Sequence, residues 1–263
     1  MARETPVHVW TAGAAPAPAV VFIHGAGTDH HMFDRQIPAV LAAGFRTVRW
    51  DVGGHGLSKP MPRSFTIPDA AADLATVLDQ LDVQQVHLVG QSMGGNIAQE
   101  FVRTSPGRVS GMVVIGSACH TLPVSRTSRW VLRASNAVFV LWPYKQLKHA
   151  MTRGGAVSTQ GQRYLADVFD SMDRGDFLHV WRAMTRCLDP DPAHRVPAPL
   201  LLILGEKDAT GDVAGTMRAW ADRDRAPLHV IPGAGHVANI DRSEEVNRLM
   251  IDFLLTLDGR EER

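Results

Sequence analysis

Short runs of apolar and β-branched residues alternate along the chain with longer segments in which apolar residues recur every three or four positions. The short runs predict β-strands, and the longer segments predict amphipathic helices. This alternation favours an α/β fold with a mostly parallel central sheet and helices on both faces. Seven strands are predicted, near Val7–Trp10, Val20–Ile23, Arg46–Trp50, Val86–Val89, Gly111–Ile115, Leu200–Leu204 and Leu228–Ile231.

Three helices have clear apolar faces. They are predicted over Asp69–Leu81, Ser92–Arg103 and Ser243–Leu257, and Ser243 is expected to be the N-cap of the last one. The residues expected to face inward are Ala72, Leu74, Val77, Leu78 and Leu81 in the first helix, Ile97, Ala98 and Phe101 in the second, and Val246, Leu249, Met250 and Phe253 in the third.

The alternation of strands and helices stops between residues 118 and 197, where aromatic residues mix with Arg, Lys and His. Asp189–Pro192 and Pro197–Pro199 mark the far end of this stretch. We interpret residues 118–197 as a helical cap inserted over the carboxyl edge of the sheet. Residues 1–117 and 198–263 then form the core domain.

Composition narrows the class of function. The 263 residues are 45% apolar, and 27 acidic side chains balance 27 basic ones. One large core is expected, and no run of positive charge indicates a nucleic-acid or membrane partner. Met1–Pro6 lacks the apolar segment of a signal peptide, so a cytoplasmic location is expected. Cys119 and Cys187 are expected to be reduced thiols, because two cysteines in no metal-ligand pattern form neither a disulfide framework nor a metal site.

The first candidate for chemistry is Ser92, which lies in Gly90-Gln91-Ser92-Met93-Gly94 directly after the apolar run Val86–Val89. Glycines on both sides suit the sharp turn from strand to helix called a nucleophile elbow. A lone G-x-S-x-G match is weak evidence, and the competing interpretation is a serine that only caps a helix. The assignment therefore depends on whether a base and an acid are present.

A serine nucleophile needs a histidine base, which in turn works best against a carboxylate. Asp208 follows the strand Leu200–Leu204, and His236 follows the strand Leu228–Ile231. Both lie at carboxyl ends of strands, where open α/β sheets place their sites. The order serine, acid, histidine along the chain also fits this type of site. Three other carboxylates close in sequence compete with Asp208 as the acid: Glu206, Asp212 and Asp241.

With these partners the chain resembles the α/β-hydrolase fold superfamily, and within it the capped serine esterases and lactonases. Four blocks between residues 24 and 236 carry the resemblance: His24–Gly27, Asp51–Ser58, the elbow, and the paired acid and histidine loops. The resemblance implies that Ser92 is the nucleophile, Asp208 the acid and His236 the base. It also implies that the backbone N–H groups of Ala26 and Met93 form the oxyanion hole. Relatives often have Arg or Pro where this chain has Gly53, which predicts a looser loop.

Further residues are predicted around this site. Asp29 and His30 either contact the substrate or cap the helix that carries Phe33, and Gln91 is expected to line the pocket beside Ser92. His24 and His55 are expected to be structural. No third ligand accompanies the histidines near Asp29, so no metal is expected, and no cofactor is expected either. Four aromatic residues of the cap are candidates for substrate binding, although internal packing explains some of them equally well: Trp130, Phe139, Trp142 and Trp181.

The predicted function is hydrolysis of small to medium apolar carboxylic esters or lactones through an acyl-enzyme, by a monomer or a homodimer. The same triad supports C–C bond hydrolysis, perhydrolysis and acyl transfer. C–C hydrolases tend to have Asn before the nucleophile, where this chain has Gln91. C–C bond hydrolysis is therefore less favoured than ester hydrolysis. A ligand receptor built on the same fold is the alternative of a different class.

Overall fold

The computed structural model describes residues 7–259, without the side chains of residues 126–129 and 133. The strands are β1 (Val9–Ala12), β2 (Ala19–Ile23), β3 (Arg46–Trp50), β4 (Val86–Gln91), β5 (Val109–Ile115), β6 (Leu200–Gly205) and β7 (Leu228–Ile231). The helices are α1 (Ile37–Ala42), α2 (Ile67–Gln80), α3 (Met93–Thr104), α4 (Arg126–Leu141), α5 (Tyr144–Gly155), α6 (Thr159–Asp170), α7 (Arg174–Arg186), α8 (Val213–Asp224), α9 (Ala238–Asp241) and α10 (Ser243–Leu257).

The strands form one sheet in the order β1-β3-β2-β4-β5-β6-β7. Only β1 runs antiparallel to its neighbour, and all other pairs are parallel. The strands β2, β4 and β6 are buried along their whole length, as expected for parallel strands covered on both faces. The predicted α/β fold is confirmed.

Successive residues of a strand point to opposite faces, and β2 shows how this builds two cores. Val20 and Phe22 pack with α1 and α10 on one face. Val21 and Ile23 pack with α2, α3 and α8 on the other. The near-continuous apolar composition of the central strands therefore serves two helical layers at once.

The strand register places the loops that follow β2, β4 and β5 side by side. Ile23, the last residue of β2, lies opposite Gly90 of β4. Gln91 at the end of β4 lies opposite Ile115 at the end of β5. The chain therefore leaves all three strands at the same edge of the sheet, which is where the sequence places its candidate chemistry.

Three local predictions about helices were wrong. The last helix begins at Ser243, but its N-cap is Arg242, and no side chain caps it. The second helix begins at Ile67, two residues before the predicted start, because Thr66 is its N-cap and accepts the Asp69 amide at 3.1 Å. Ala72, predicted to face inward, is exposed. Exposing its single methyl group to water costs little free energy.

The helices α4 to α7 stand between β5 and β6. Within this insertion α5 packs on α6, and α4 packs on α7. In the part of the chain that the structure describes, no helix is long and apolar enough to cross a membrane.

Candidate active site

Ser92 occupies the turn between β4 and α3, with φ 51° and ψ −116°. A residue other than glycine is strained in this region of backbone space. The turn is held in place because the Ser92 amide donates to the carbonyl of Ile115 at 2.9 Å. The strained turn presents the half-buried Ser92 side chain at the edge of the sheet, as a nucleophile elbow requires.

The glycines of the elbow allow close backbone contacts that no larger residue permits. A Cβ added to Gly94 would lie 1.9 Å from the carbonyl oxygen of Ile23. A Cβ on Gly90 would lie 2.5 Å from the carbonyl oxygen of Gly94. The first turn of α3 therefore packs directly on β2 and β4.

The structure brings Asp208 and His236 together. The loops after β6 and β7 place Nδ1 of His236 at 2.8 Å from Oδ2 of Asp208. The Asp208 side chain is fully buried, whereas that of His236 is 12% exposed. Asp208 also accepts the Thr210 amide at 2.9 Å. Since the carboxylate accepts the proton on Nδ1, it leaves Nε2 of the neutral ring with a lone pair.

Two opposing effects act on the Asp208 carboxyl. Burial raises its pKa, but the hydrogen bond and charge of His236, together with the contact to Thr210, lower it by more. The net pKa is below the ordinary value for aspartate. Asp208 is therefore an anion at neutral pH, which suits a group that stabilises a positively charged imidazole ring.

The other three acidic candidates lie elsewhere. Glu206 accepts the Gly233 amide at 2.8 Å, and Asp212 precedes α8 as its N-cap residue without capping it through its side chain. Asp241 accepts the Gly235 amide at 2.8 Å.

The histidine loop packs against the elbow. Nε2 of Gln91 donates to the carbonyl oxygen of His236 at 3.1 Å, and the Gln91 side chain is buried. A Cβ on Gly116, which follows β5, would lie 3.2 Å from Nδ1 of His236 and 3.3 Å from Oδ2 of Asp208. Among the described residues, the Ser92 hydroxyl makes no hydrogen bond; catalytic hydrogen bonds often form only when substrate binds.

The two backbone amides predicted as oxyanion donors have no competing acceptor among the residues that the structure describes. Within residues 7–259, neither the Ala26 N–H nor the Met93 N–H donates a hydrogen bond. Met93 is the first residue of α3, so its amide lies at the positive end of the helix. On the other loop, a Cβ on Gly25 would lie 3.5 Å from Cβ of Ser92. Both loops thus offer free donors beside the candidate nucleophile, the arrangement that stabilises a developing oxyanion.

Buried histidines fix the loop that carries Ala26. His24 donates from Nδ1 to the Gly25 carbonyl at 2.8 Å and accepts the Val52 amide on Nε2 at 3.0 Å. Burial lowers the pKa of His24 in spite of the nearby Asp51 anion, and burial lowers the pKa of His55 to about 3. Both rings are therefore neutral at physiological pH and hold backbone groups.

His30 belongs to the same scaffold. Asp51 accepts its amide at 2.8 Å and its Nδ1 at 2.9 Å. The His30 ring also stacks on Trp10 with 3.5 Å between the ring centroids, and His30 is only 8% exposed. The amide and the ring of His30 are therefore both engaged by groups of the protein itself.

Asp29 caps the short 3-10 turn His30–Phe33 by accepting the His31 amide at 3.1 Å. It also accepts the hydroxyl of Tyr164, in α6, at 3.0 Å. No group of three metal-ligating side chains is found among the described residues.

The four aromatic candidates of the insertion lie in two settings. Trp130 is 71% exposed and Trp142 is 37% exposed. Phe139 packs on Trp181 with 4.9 Å between ring centroids, and Trp181 donates to the Ser135 hydroxyl at 3.0 Å. The contacts of Phe139 and Trp181 are therefore made within the insertion.

Sequence reasoning missed the part of the insertion that reaches the glycine loop. A Cβ on Gly27 would lie 2.9 Å from the Phe169 ring and 3.6 Å from Sδ of Met172. Both side chains are buried. The helical spacing of apolar residues in α6 could have indicated a buried face, but not the surface that it contacts.

The family model described as alpha/beta hydrolase fold matches residues 18–141. A 2-hydroxy-6-oxononadienedioate/2-hydroxy-6-oxononatrienedioate hydrolase from Paraburkholderia xenovorans is 26% identical over 268 residues, covering 95% of this chain and 91% of the relative. A thermophilic esterase from Thermogutta terrifontis has a TM-score of 0.81 at 22% identity, covering 96% and 94% of the two chains. The enol-lactonase from Burkholderia xenovorans has a TM-score of 0.81 at 23% identity, covering 95% and 96%.

The likenesses to this relative and to the two solved structures extend over nearly the whole chain, whereas the family model matches less than half of it. The relatives named above are hydrolases in every case. The chain thus has the α/β-hydrolase fold.

Proposed function

We propose that the protein is a serine hydrolase that cleaves small to medium apolar carboxylic esters or lactones through an acyl-enzyme. The observation that carries this proposal is the 2.8 Å contact between His236 and Asp208 at the edge where Ser92 turns out of the sheet. The proposed base, acid and nucleophile follow β7, β6 and β4, at one edge of the sheet.

In the first half of the reaction, Nε2 of His236 takes the proton from the Ser92 hydroxyl. The serine oxygen then bonds to the substrate carbonyl carbon, and the carbonyl oxygen becomes an oxyanion. The N–H groups of Ala26 and Met93 donate to that oxyanion, while Asp208 stabilises the protonated imidazole. His236 next gives its proton to the leaving alkoxide, so that an alcohol departs and the acyl group stays on Ser92.

In the second half, His236 takes a proton from water, and the resulting hydroxide attacks the acyl carbon. The bond from carbon to the Ser92 oxygen breaks when the tetrahedral intermediate collapses. His236 returns the proton to Ser92, and the carboxylic acid leaves. A lactone follows the same steps, except that its alcohol and acid remain one molecule.

The surroundings of the glycine loop support an apolar substrate. Phe169 and Met172 lie beside Gly27, one residue from the proposed oxyanion donor Ala26, and would meet a Cβ added there. A hydrocarbon group of the substrate that meets these side chains leaves water without requiring a polar partner. We further propose that residues 118–197 act as the cap that supplies this wall.

Hydrolysis of p-nitrophenyl butyrate tests the proposal. We expect Ser92→Ala to lower kcat/KM by about four to six orders of magnitude, because the remaining groups cannot form an acyl-enzyme. Ser105→Ala is the matched control, since Ser105 ends the same helix at its opposite end. An activity of Ser92→Ala equal to that of this control would refute the assignment.

Hydrolysis of a C–C bond is the second candidate, and the curated relatives favour it. The proteins from Paraburkholderia xenovorans and Burkholderia vietnamiensis, 26% and 29% identical, are both named as 2-hydroxy-6-oxononadienedioate hydrolases. A dioate has two negative charges, which a binding site must neutralise or hydrate. Phe169 and Met172 offer neither, so an uncharged ester or lactone fits this wall better.

A panel of esters, lactones and 6-oxo-dienoates, assayed side by side for kcat/KM, separates the two candidates. We expect at least one ester or lactone to exceed every dienoate by tenfold or more, an energy difference of about 1.4 kcal/mol in the transition state. A dienoate that exceeds all esters and lactones by the same margin would replace the ester assignment with C–C hydrolysis.

A further inference from the structure

One carboxylate joins the insertion to the histidine loop. Oδ1 of Asp241 accepts the Ser158 amide at 2.8 Å and the Ser158 hydroxyl at 2.6 Å. Ser158 is the N-cap of α6 and accepts the Gly161 amide at 3.0 Å. The start of α6 is therefore fixed to Asp241, at the end of α9.

The second oxygen of the same carboxylate reaches the neighbour of the proposed base. Oδ2 of Asp241 accepts the Gly235 amide at 2.8 Å and the Val157 amide at 2.9 Å. On the other side of His236, the Val237 amide donates to the carbonyl of Gly155 at 3.0 Å. The residues before and after His236 are thus both held, directly or through Asp241, by the last residue of α5 and the segment that joins it to α6.

The far part of α6 meets the loop of the proposed oxyanion donor. Tyr164 donates its hydroxyl to Asp29 at 3.0 Å, and Phe169 packs against Gly27. Burial and the nearby Asp29 raise the pKa of Tyr164 well above its ordinary value, so the phenol keeps the proton that it donates. Helix α6 therefore spans from the loop of the base to the loop of the oxyanion donor.

We propose that α6 is a fixed brace between these two loops, and that Asp241 is a positioning residue that sets the place of His236 through the Gly235 amide. The inference rests on the function proposed above, in which His236 is the base. In this account the α6 part of the insertion stays attached to the core during turnover, because moving it away would break the three hydrogen bonds that Asp241 accepts from Val157 and Ser158.

The chemistry of the four bonds explains why a carboxylate is needed. All four donors, three amides and one hydroxyl, point at two oxygens, and an aspartate anion has lone pairs for each. An asparagine has nearly the same shape, but its NH2 group would face two donors. Asp241→Asn therefore breaks the bonds on one oxygen position while leaving the volume of the site unchanged.

The test compares Asp241→Asn with two other variants. Asp167→Asn makes the same substitution at an exposed position on α6 and is the matched control. Ser158→Ala removes both the hydroxyl contact with Oδ1 of Asp241 and the side-chain cap of α6, so it loosens the brace, although Oδ2 keeps its two donors. Each protein is titrated with a fluorophosphonate to count its competent active sites, and kcat and KM for p-nitrophenyl butyrate are expressed per titrated site.

We expect Asp241→Asn to lower kcat per site by about 10- to 100-fold with KM within about twofold, since small displacements of a catalytic group have effects of this size. Ser158→Ala should lower kcat per site by about two- to tenfold, and Asp167→Asn should leave it unchanged. A role in folding alone would reduce the number of titrated sites without changing kcat per site.

An unchanged kcat per site in Asp241→Asn overturns the inference. Should that variant not fold, Ser158→Ala decides, and an activity per site equal to that of Asp167→Asn overturns it as well. Failure of the proposed function looks different, because the wild-type protein would then take up no phosphonate at Ser92.

Discussion

Nδ1 of His236 lies 2.8 Å from Oδ2 of Asp208, and the second oxygen of that carboxylate accepts the Thr210 amide at 2.9 Å. The aspartate is therefore held by its own loop in the orientation that fixes the histidine ring. This relationship predicts the effect of removing its charge without removing its shape.

Asp208→Asn should lower kcat for p-nitrophenyl butyrate by about 10³- to 10⁴-fold, because an amide can neither select the required tautomer nor stabilise the protonated ring. The matched control is Asp212→Asn, four residues further on at an exposed position, which should retain full activity. Steady-state kinetics of the two variants check the prediction. Similar activities in both would exclude Asp208 as the acid.

Backbone strain at the elbow predicts an effect on stability. Ser92 has φ 51°, and alanine at this position would be strained in the same way. Glycine relieves this strain but gains freedom in the unfolded chain. We expect Ser92→Gly to be more stable than Ser92→Ala by about 1 kcal/mol in urea unfolding, although neither variant is active. Equal stabilities would contradict this prediction, because the strain would then be no larger than the entropy that glycine gains in the unfolded chain.

The contact between α3 and β2 predicts intolerance of a single methyl group. A Cβ at position 94 would lie 1.9 Å from the carbonyl oxygen of Ile23, whereas nothing lies within 4 Å of a Cβ at Gly154. Gly94→Ala should lower the free energy of unfolding by at least about 2 kcal/mol through overpacking. Gly154→Ala, in α5, should raise it by about 0.5–1 kcal/mol. Thermal unfolding of both variants gives the comparison, which fails if Gly94→Ala is as stable as wild type.

Burial of His120 predicts how stability depends on pH. Burial lowers the pKa of His120 from 6.5 to about 4. Between these values the unfolded chain binds a proton that the folded protein does not, so stability is lost as the pH falls from 6.5 towards 4. The contribution to the slope is at most about 1.4 kcal/mol per pH unit.

His120→Leu removes this contribution and should flatten the decline of the free energy of unfolding over that range. His229→Leu, at an exposed position, should leave the slope as in wild type. Urea unfolding at several pH values measures both. A slope in His120→Leu as steep as in the control would mean that His120 is protonated in the folded state.

Much of the fold could be predicted because its strands are buried and bounded by glycine or polar turns. The run Val86–Val89 and the glycines after it predict β4, the elbow and the start of α3 from local sequence alone. Helix starts were less predictable. Thr66 and Ser243 are both plausible N-caps, and only Thr66 accepts a backbone amide in its helix.

The residues that form the candidate site were predicted from motifs, but their supports were not. The sequence indicates Asp241 only as an alternative acid for the histidine. Its contact with Ser158 joins residues 83 positions apart, and nothing in either local sequence indicates the other. The same holds for Tyr164 and Asp29, since the packing of α6 over the loops depends on the whole insertion.

The central claim is that Ser92 is the nucleophile of a serine hydrolase, and intact-protein mass spectrometry after incubation with a fluorophosphonate tests it most directly. We expect one adduct per chain, located at Ser92 by peptide mapping and absent in Ser92→Ala. The Ser105→Ala control should be labelled as completely as wild type. An unlabelled wild-type protein that remains folded, or an adduct that persists in Ser92→Ala, would contradict the account.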